Sequence, residues 1–267
     1  MAFPALTQKN LKEIAALSDR TRRQESDLFL IEGIRMFREF INSGYTAAVI
    51  VIESGFENRH ADVYQILQRK YSGITLTATE KQIRKLSDTD EPQGVVAVIR
   101  KPQPSAEAIF RGKKHGIILA LDRIADPGNL GTIIRCADWF GVSDIALSKG
   151  CVDVYNPKVI RGTMGSVFRV RFHERADLSR LFAEAKASGA EIWGTSAAGP
   201  YTPMPSQNGE KNIILVIGSE AHGIADAILP FCDRLIRIPR YGHAESLNAA
   251  VACGILLYEM RRGHPTL

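Results

Sequence analysis

Asn129 with Arg135, the run Gly218-Ser219-Glu220, and Ser246-Leu247-Asn248 are the residues of this chain best suited to chemistry. They are polar groups at the ends of strongly apolar runs. The first two belong to Asp126-Pro-Gly-Asn-Leu-Gly-Thr-Ile-Ile-Arg135, the second group to Ile217-Gly-Ser-Glu-Ala-His-Gly223, and the third follows Ile238-Pro239. An arginine presents a planar fork of donors that suits a phosphate or a ribose hydroxyl. A carboxylate such as Glu220 can accept hydrogen bonds from a bound group or from that arginine; at a helix start it also interacts with the dipole. Asn129, behind Pro127 and Gly128, reads as an N-cap, and so does Ser246. Asn248 precedes the small apolar run Ala249-Ala-Val-Ala252, where a polar amide needs a defined partner. Each residue therefore has a plain structural reading beside the chemical one: capping for Asn129 and Ser246, a solvated helix face for Arg135, a surface position for His222.

The elements that must hold these residues follow from periodicity. Strands are expected at Ile117 to Leu121, Ile145 to Leu147, Val167 to Phe172, Glu191 to Trp193, Ile213 to Ile217 and Leu235 to Ile238. Helices are expected at Leu130 to Phe140, Leu178 to Ala187 and Leu247 to Met260. Strands apolar on both faces imply a mostly parallel sheet covered by helices, with ligands beyond the carboxyl ends of the strands. Gly218 and Pro239 fall at such ends. Before a polar linker near Arg100 to Lys114, strands at Leu28 to Glu32, Ala47 to Ile52 and Gly94 to Ile99 alternate with helices at Gln8 to Leu17, Gly33 to Ile41 and Ala61 to Arg69. That pattern predicts a separate layered α/β domain.

Bulk properties narrow the class. A chain of 267 residues, 45% hydrophobic, can bury one large core or two modest ones. Its net charge of +5 suits a polyanionic partner without identifying one. No apolar stretch is long enough to cross a membrane, and the N-terminus lacks the pattern of a signal peptide. Cys136, Cys151, Cys232 and Cys253 form no Cys-x-x-Cys pair, so no zinc site is expected and a reducing, cytoplasmic setting is the simplest reading. There is no Gly-x-Gly-x-x-Gly after an early strand, no phosphate-loop lysine motif and no Gly-x-Ser-x-Gly elbow.

The segments Asn129 to Gly141, Leu215 to Pro239 and Ser246 to Gly254 resemble the three motifs of the SpoU (TrmH-type) RNA 2'-O-ribose methyltransferases of the SPOUT superfamily. Asp153 and Asn156-Pro-Lys158, with Arg161 and Gly165, resemble the segment that runs past the active site in that family. The N-terminal part is similar to the family's accessory domain, related to ribosomal protein L30e, through Arg22 or Arg23, Phe29-Leu-Ile-Glu-Gly33 and Gln93-Gly-Val95. Two positions depart from the usual pattern: Ala221 stands where glycine is frequent, and Arg240 where methionine is common.

This resemblance implies an L30e-like RNA substrate-binding domain over 1–105 and a methyltransferase domain over 114–267, a parallel-sheet α/β fold with a deep C-terminal trefoil knot. It implies methyl transfer from S-adenosylmethionine to a ribose 2'-hydroxyl of structured RNA, with 23S ribosomal RNA favoured over transfer RNA, and a homodimer. A catalytically silent RNA-binding protein and an antibiotic-resistance methyltransferase are the competing readings. The cofactor is expected against Thr195, Ser196, Ala197, Ile217, Gly218, Ile238 and Leu247. Asn129, Arg135, Glu220, Ser246 and Asn248 are expected to be catalytic, with Arg135 sharing or removing the hydroxyl proton. RNA contacts are expected from Lys9, Arg20, Arg22, Arg23 and Arg161, and no metal is implied.

Overall fold

The structure, a computed structural model, describes residues 3–102, 116–196 and 211–262. The chain divides into two compact units, residues 1–103 with 155–168, and residues 104–154 with 169–267.

In the first unit, α1 (Gln8–Ala16) is capped by Thr7 and α2 (Arg20–Gln24) by Asp19. They precede β1 (Leu28–Glu32), α3 (Ile34–Ile41), β2 (Ala47–Glu53), α4 (Phe56–Arg59) and α5 (Ala61–Lys70). The unit continues with β3 (Thr75–Ala78), α6 (Glu80–Leu86) and β4 (Val95–Arg100). The sheet runs β1-β4-β2-β3, with β4 antiparallel to both neighbours and β2 parallel to β3. Phe29, Ile31, Phe37, Phe40, Ile50 and Ile52 are almost fully buried, and each such side chain contributes roughly 1.5–3 kcal/mol.

The second unit begins with β5 (Ile117–Asp122), α7 (Pro127–Trp139) and β6 (Asp144–Ser148). The chain then gives α8 (Pro157–Thr163) to the first unit. There the Tyr155 ring lies 4.6 Å from Phe29, and the Tyr45 hydroxyl donates to the Val167 carbonyl at 3.3 Å. Burial pushes that hydroxyl's pKa up to about 12. The chain resumes the second unit with β7 (Arg171–Ala176), α9 (Leu178–Ala187), β8 (Glu191–Thr195), β9 (Ile213–Gly218), β10 (Arg234–Ile236) and α10 (Ala249–Arg261).

The second sheet is parallel throughout, in the order β10-β8-β9-β5-β6-β7. From β5 the chain builds outward through β6 and β7, then returns to the other side for β8 and β9. The strand order therefore reverses between β5 and β9, where a crevice opens beyond the carboxyl ends. Helix α10 packs against α7, and Arg261 near its end donates to the Phe140 carbonyl at 2.9 Å.

Two expected elements are corrected. Val167 to Phe172 is not one strand: Ser166–Phe168 is a 3-10 turn, and the strand starts at Arg171. Val167 and Phe168 are buried because they pack in the first unit, so their apolar character marked burial and not strand pairing. The closing helix begins at Ala249, two residues later than Leu247, because Asn248 caps it. Among the described residues no helix is long and apolar enough to cross a membrane.

Candidate active site

The turn after β9 builds one wall of the site. Gly218 ends the strand, and Ser219 and Gly223 exchange backbone hydrogen bonds at 3.1 and 2.8 Å, closing the chain back on itself. A Cβ on Gly218 would collide with the backbone of Gly223 and Ile224. The glycine is therefore required by the chain's own return, beyond any need to admit a ligand.

Asp122 fixes this turn from the neighbouring strand. It closes β5, is 3% exposed, and accepts from the Ala225 backbone N–H at 2.8 Å and the Ser148 hydroxyl at 3.1 Å. Arg123, held at φ 58°, donates to Asp122 at 3.2 Å and to the Gly223 carbonyl at 3.3 Å. Neither residue figured among the expected site residues. The signal was present in Leu119-Ala-Leu-Asp-Arg123, an acid closing an apolar strand that must be paired to be buried.

Across the crevice, α7 presents Asn129. Its N-cap is Asp126, whose carboxylate accepts from the Asn129 backbone N–H at 2.7 Å. Asn129 thus lies in the first helical turn and does not cap, which frees its side chain. Its amide donates to Oε1 of Glu220. Its carbonyl oxygen accepts from Nδ2 of Asn248 at 2.7 Å. Asn248 in turn caps α10, its own Oδ1 accepting from the N–H groups of Ala250 and Val251 at 2.9 and 3.2 Å. Ser246 does not cap; it lies exposed in the segment before that helix. Three segments far apart in sequence are joined by two side-chain hydrogen bonds at the switch point.

Beside this ladder lies a cavity of about 340 Å³. Of the residues expected to hold a cofactor, Thr195, Ser196, Ile217, Gly218, Ile238 and Leu247 all line it, as do Glu220 and Ser246. Ala197 lies outside the described residues. The Thr195 hydroxyl donates to the Val216 carbonyl at 3.0 Å, and the Ser196 N–H to the Ile236 carbonyl at 3.0 Å, which ties the ends of β8, β9 and β10 together. Apolar side chains with exposed strand-end backbone suit a ligand that is part apolar and part polar.

Arg135 is not brought to this ladder. Six residues along a helix from Asn129 carry it about 9 Å along the axis and onto another face. It is exposed and makes no hydrogen bond or ion pair among the described residues. Glu220, read from the sequence as an acceptor for a bound group or for Arg135, accepts from the Asn129 amide.

In the first unit, Lys9, Arg20 and Arg22 are exposed, with Arg22 3.8 Å from Glu25. Arg23 cannot serve as a surface contact. It is 2% exposed, and its guanidinium donates to the carbonyls of Leu17 at 3.0 Å and Ser18 at 2.6 Å, closing the turn between α1 and α2. Arg161 is partly exposed and bound to Glu32 at 3.0 Å and Asp88 at 2.8 Å.

Known proteins resemble this chain in sequence and in fold. Residues 116–258 match the SpoU rRNA Methylase family, and residues 8–97 match the MRM3-like substrate binding domain. The chain is 31% identical over 256 residues to the 23S rRNA (guanosine(2553)-2'-O)-methyltransferase RlmP of Bacillus subtilis, covering 95% of this chain and 96% of that enzyme. The AdoMet-bound rRNA methyltransferase from Sinorhizobium meliloti superposes with a TM-score of 0.86 at 30% identity, over 98% of both chains. The SpoU methyltransferase AviRb from Streptomyces viridochromogenes, in complex with AdoMet, gives 0.83 at 25% identity, over 96% of this chain and 98% of that one. A parallel-sheet domain with this switch-point ladder, preceded by a substrate-binding domain, places the chain in the SpoU rRNA methylase family of TrmH-type RNA methyltransferases.

Proposed function

We propose that the protein methylates a ribose 2'-hydroxyl of RNA with S-adenosylmethionine as donor, and that 23S ribosomal RNA is the substrate. The observation that carries this reading is the Asn248–Asn129–Glu220 ladder along the rim of the cavity. Relatives whose names specify 23S rRNA or AdoMet support the choice of substrate and cofactor.

The cavity fits the donor. Ile217, Ile236, Ile238 and Leu256 offer an apolar wall, and the ends of β8, β9 and β10 offer backbone groups. Thr195, Ser196, Gly218 and Leu247 would hold it. S-adenosylmethionine supplies a sulfonium methyl group, open to attack by an oxygen nucleophile. The chain's own task is to fix that oxygen and relieve it of its proton. Glu220 and Asn129 hold each other's side chains in place, leaving the second carboxylate oxygen of Glu220 as a further acceptor for a hydroxyl. Asn248 locks Asn129 from behind, and Ser246 adds a hydroxyl on the cavity wall.

Arg135 retains its assigned part in proton sharing only through a second copy of the chain. It shares α7 with Trp139, which is 83% exposed, while Val251, Ile255 and Tyr258 of α10 are also exposed. A symmetric dimer burying these apolar side chains would complete the site. An arginine is protonated at neutral pH, so its contribution there is mainly to align and polarise the hydroxyl. Lys9, Arg20 and Arg22 of the first unit would grip RNA phosphates, in a cytoplasmic setting.

The test is transfer of labelled methyl from S-adenosylmethionine to unmodified 23S ribosomal RNA and, separately, to transfer RNA, with the product nucleotide mapped by mass spectrometry. A single ribose methyl in 23S RNA is expected. Label in transfer RNA alone would reassign the substrate, and RNA binding without any transfer would leave only a binding protein.

A further inference from the structure

The segment between β10 and α10 carries an aromatic side chain that the methyl-transfer chemistry does not use. Tyr241 lines the cavity, yet it is 97% exposed. Its neighbour Arg240 also lines the cavity and is exposed, and Leu247, 48% exposed, adds apolar surface on the same rim. Beyond Gly242 the space is open: a Cβ there would meet nothing within 4 Å.

These facts separate Tyr241 from the cofactor's part of the cavity. The inner wall is made by Ile217, Ile236 and Leu256, all buried, whereas Tyr241 borders the cavity while almost fully exposed. An exposed aromatic ring and an exposed arginine adjacent in sequence, both on the cavity lining, supply the two chemistries that take an unstacked nucleobase with its phosphate. Bases turned out of RNA structure are held by stacking on aromatic rings and arginine planes. An enzyme that must reach one ribose also needs its nucleotide held apart from its neighbours.

We propose that Tyr241 is a positioning residue for the substrate: its ring stacks on the base of the nucleotide being methylated, while Arg240 neutralises an adjoining phosphate. This rests on the RNA ribose methylation reading. It deepens that reading by placing substrate selection on two residues of one loop.

The experiment compares wild type, Tyr241→Ala and Tyr241→Trp as full chains. Each is loaded with S-adenosylhomocysteine and titrated with a short single-stranded RNA carrying 2-aminopurine. Stacking quenches the probe in wild type and in Y241W, and the quenching is lost in Y241A. In the transfer assay Y241A raises the RNA KM by about five-fold or more, the loss of one aromatic–base stack, and Y241W restores it. S-adenosylhomocysteine affinity stays constant across the three. The proposal is overturned if Y241A quenches like wild type, if its main defect is weaker S-adenosylhomocysteine binding, or if it only dissociates a dimer. Absence of transfer by wild type to any RNA, with quenching still dependent on Tyr241, would defeat the activity reading and leave the stacking site standing. Transfer with quenching indifferent to Tyr241 would do the reverse.

Discussion

The side-chain amide of Asn248 donates to Oδ1 of Asn129 at 2.7 Å, joining residues 119 positions apart. Asn129 passes the constraint on by donating to Glu220. One asparagine thus spends both ends of its amide on the two other segments of the site, and each end fixes the other. A side chain so committed can only face one way, which is what alignment of a nucleophile demands.

This arrangement predicts strong coupling. Asn129→Ala takes from Glu220 its Asn129 donor and from the Asn248 amide N–H its acceptor, and kcat falls by about ten-fold or more, equivalent to ~1.4 kcal/mol in the barrier. Asn248→Ala costs stability as well, because the cap of α10 goes with it. The double variant is expected to lose less than the sum of the two, with a coupling of about 0.5–3 kcal/mol. Steady-state methyl transfer by the four proteins of the cycle measures this, and strict additivity would show that the ladder does not act as a unit.

Gly218→Ala should damage the cavity without touching a catalytic group. The added methyl would lie within 2.5 Å of the Gly223 carbonyl oxygen and closer still to other backbone atoms, so the turn must open. Overpacking of this kind costs about 1–3 kcal/mol, and backbone neighbours cannot rotate away. A lower melting temperature together with weaker S-adenosylhomocysteine binding by calorimetry is expected. Unchanged binding would mean that the turn after β9 does not shape the cofactor pocket.

Much of the site was legible because it sits at punctuation. Gly218 and Asn248 interrupt apolar runs, and such interruptions survive where the chain must turn or pair. What periodicity could not give was direction. Asp126 and Asn129 are both good caps, and the choice between them depends on where the chain leaves β5. Short elements were also lost. β3 has four residues and α4 four, too few for a period to emerge, although Thr79 and Gln82 around the start of α6 spell a capping box. The membership of Tyr155–Phe168 in the first unit depends on contacts with Phe29, Phe40 and Tyr45, more than a hundred residues away, and no local pattern carries it.

Arg23 illustrates the same limit and yields a prediction. Composition makes Arg20, Arg22 and Arg23 equivalent cations, but the fold buries the third against the Leu17 and Ser18 carbonyls. Arg23→Ala removes donors from buried acceptors and is expected to destabilise the protein by about 1–3 kcal/mol. Arg22→Ala, at an exposed position, should change stability by no more than about 0.5 kcal/mol while lowering RNA affinity and its salt dependence. Denaturant unfolding and filter binding at two salt concentrations separate these outcomes. Equal stability of both variants would contradict the burial of Arg23.

Glu191, at the opening end of β8, gives a pH dependence unconnected with the cavity. The Trp193 indole N–H donates to it at 3.0 Å and the Lys211 ammonium at 3.0 Å, and together they hold its pKa below the ordinary value of 4.5. A carboxyl whose folded pKa is depressed binds fewer protons folded than unfolded, so stability rises with pH across that interval. Its stabilisation is complete above 4.5 and disappears as the pH falls through the lowered folded value. The Glu191→Gln variant lacks the titration, so its stability should fall short of wild type at neutral pH and converge on it in acid. Urea unfolding of both proteins across that range reads the difference directly. Methyl transfer at neutral pH should be little changed, since the cavity lies at the other end of the strands. A gap that instead widened toward acid would mean that Glu191 is protonated more readily in the folded chain, and that its two donors do not hold it.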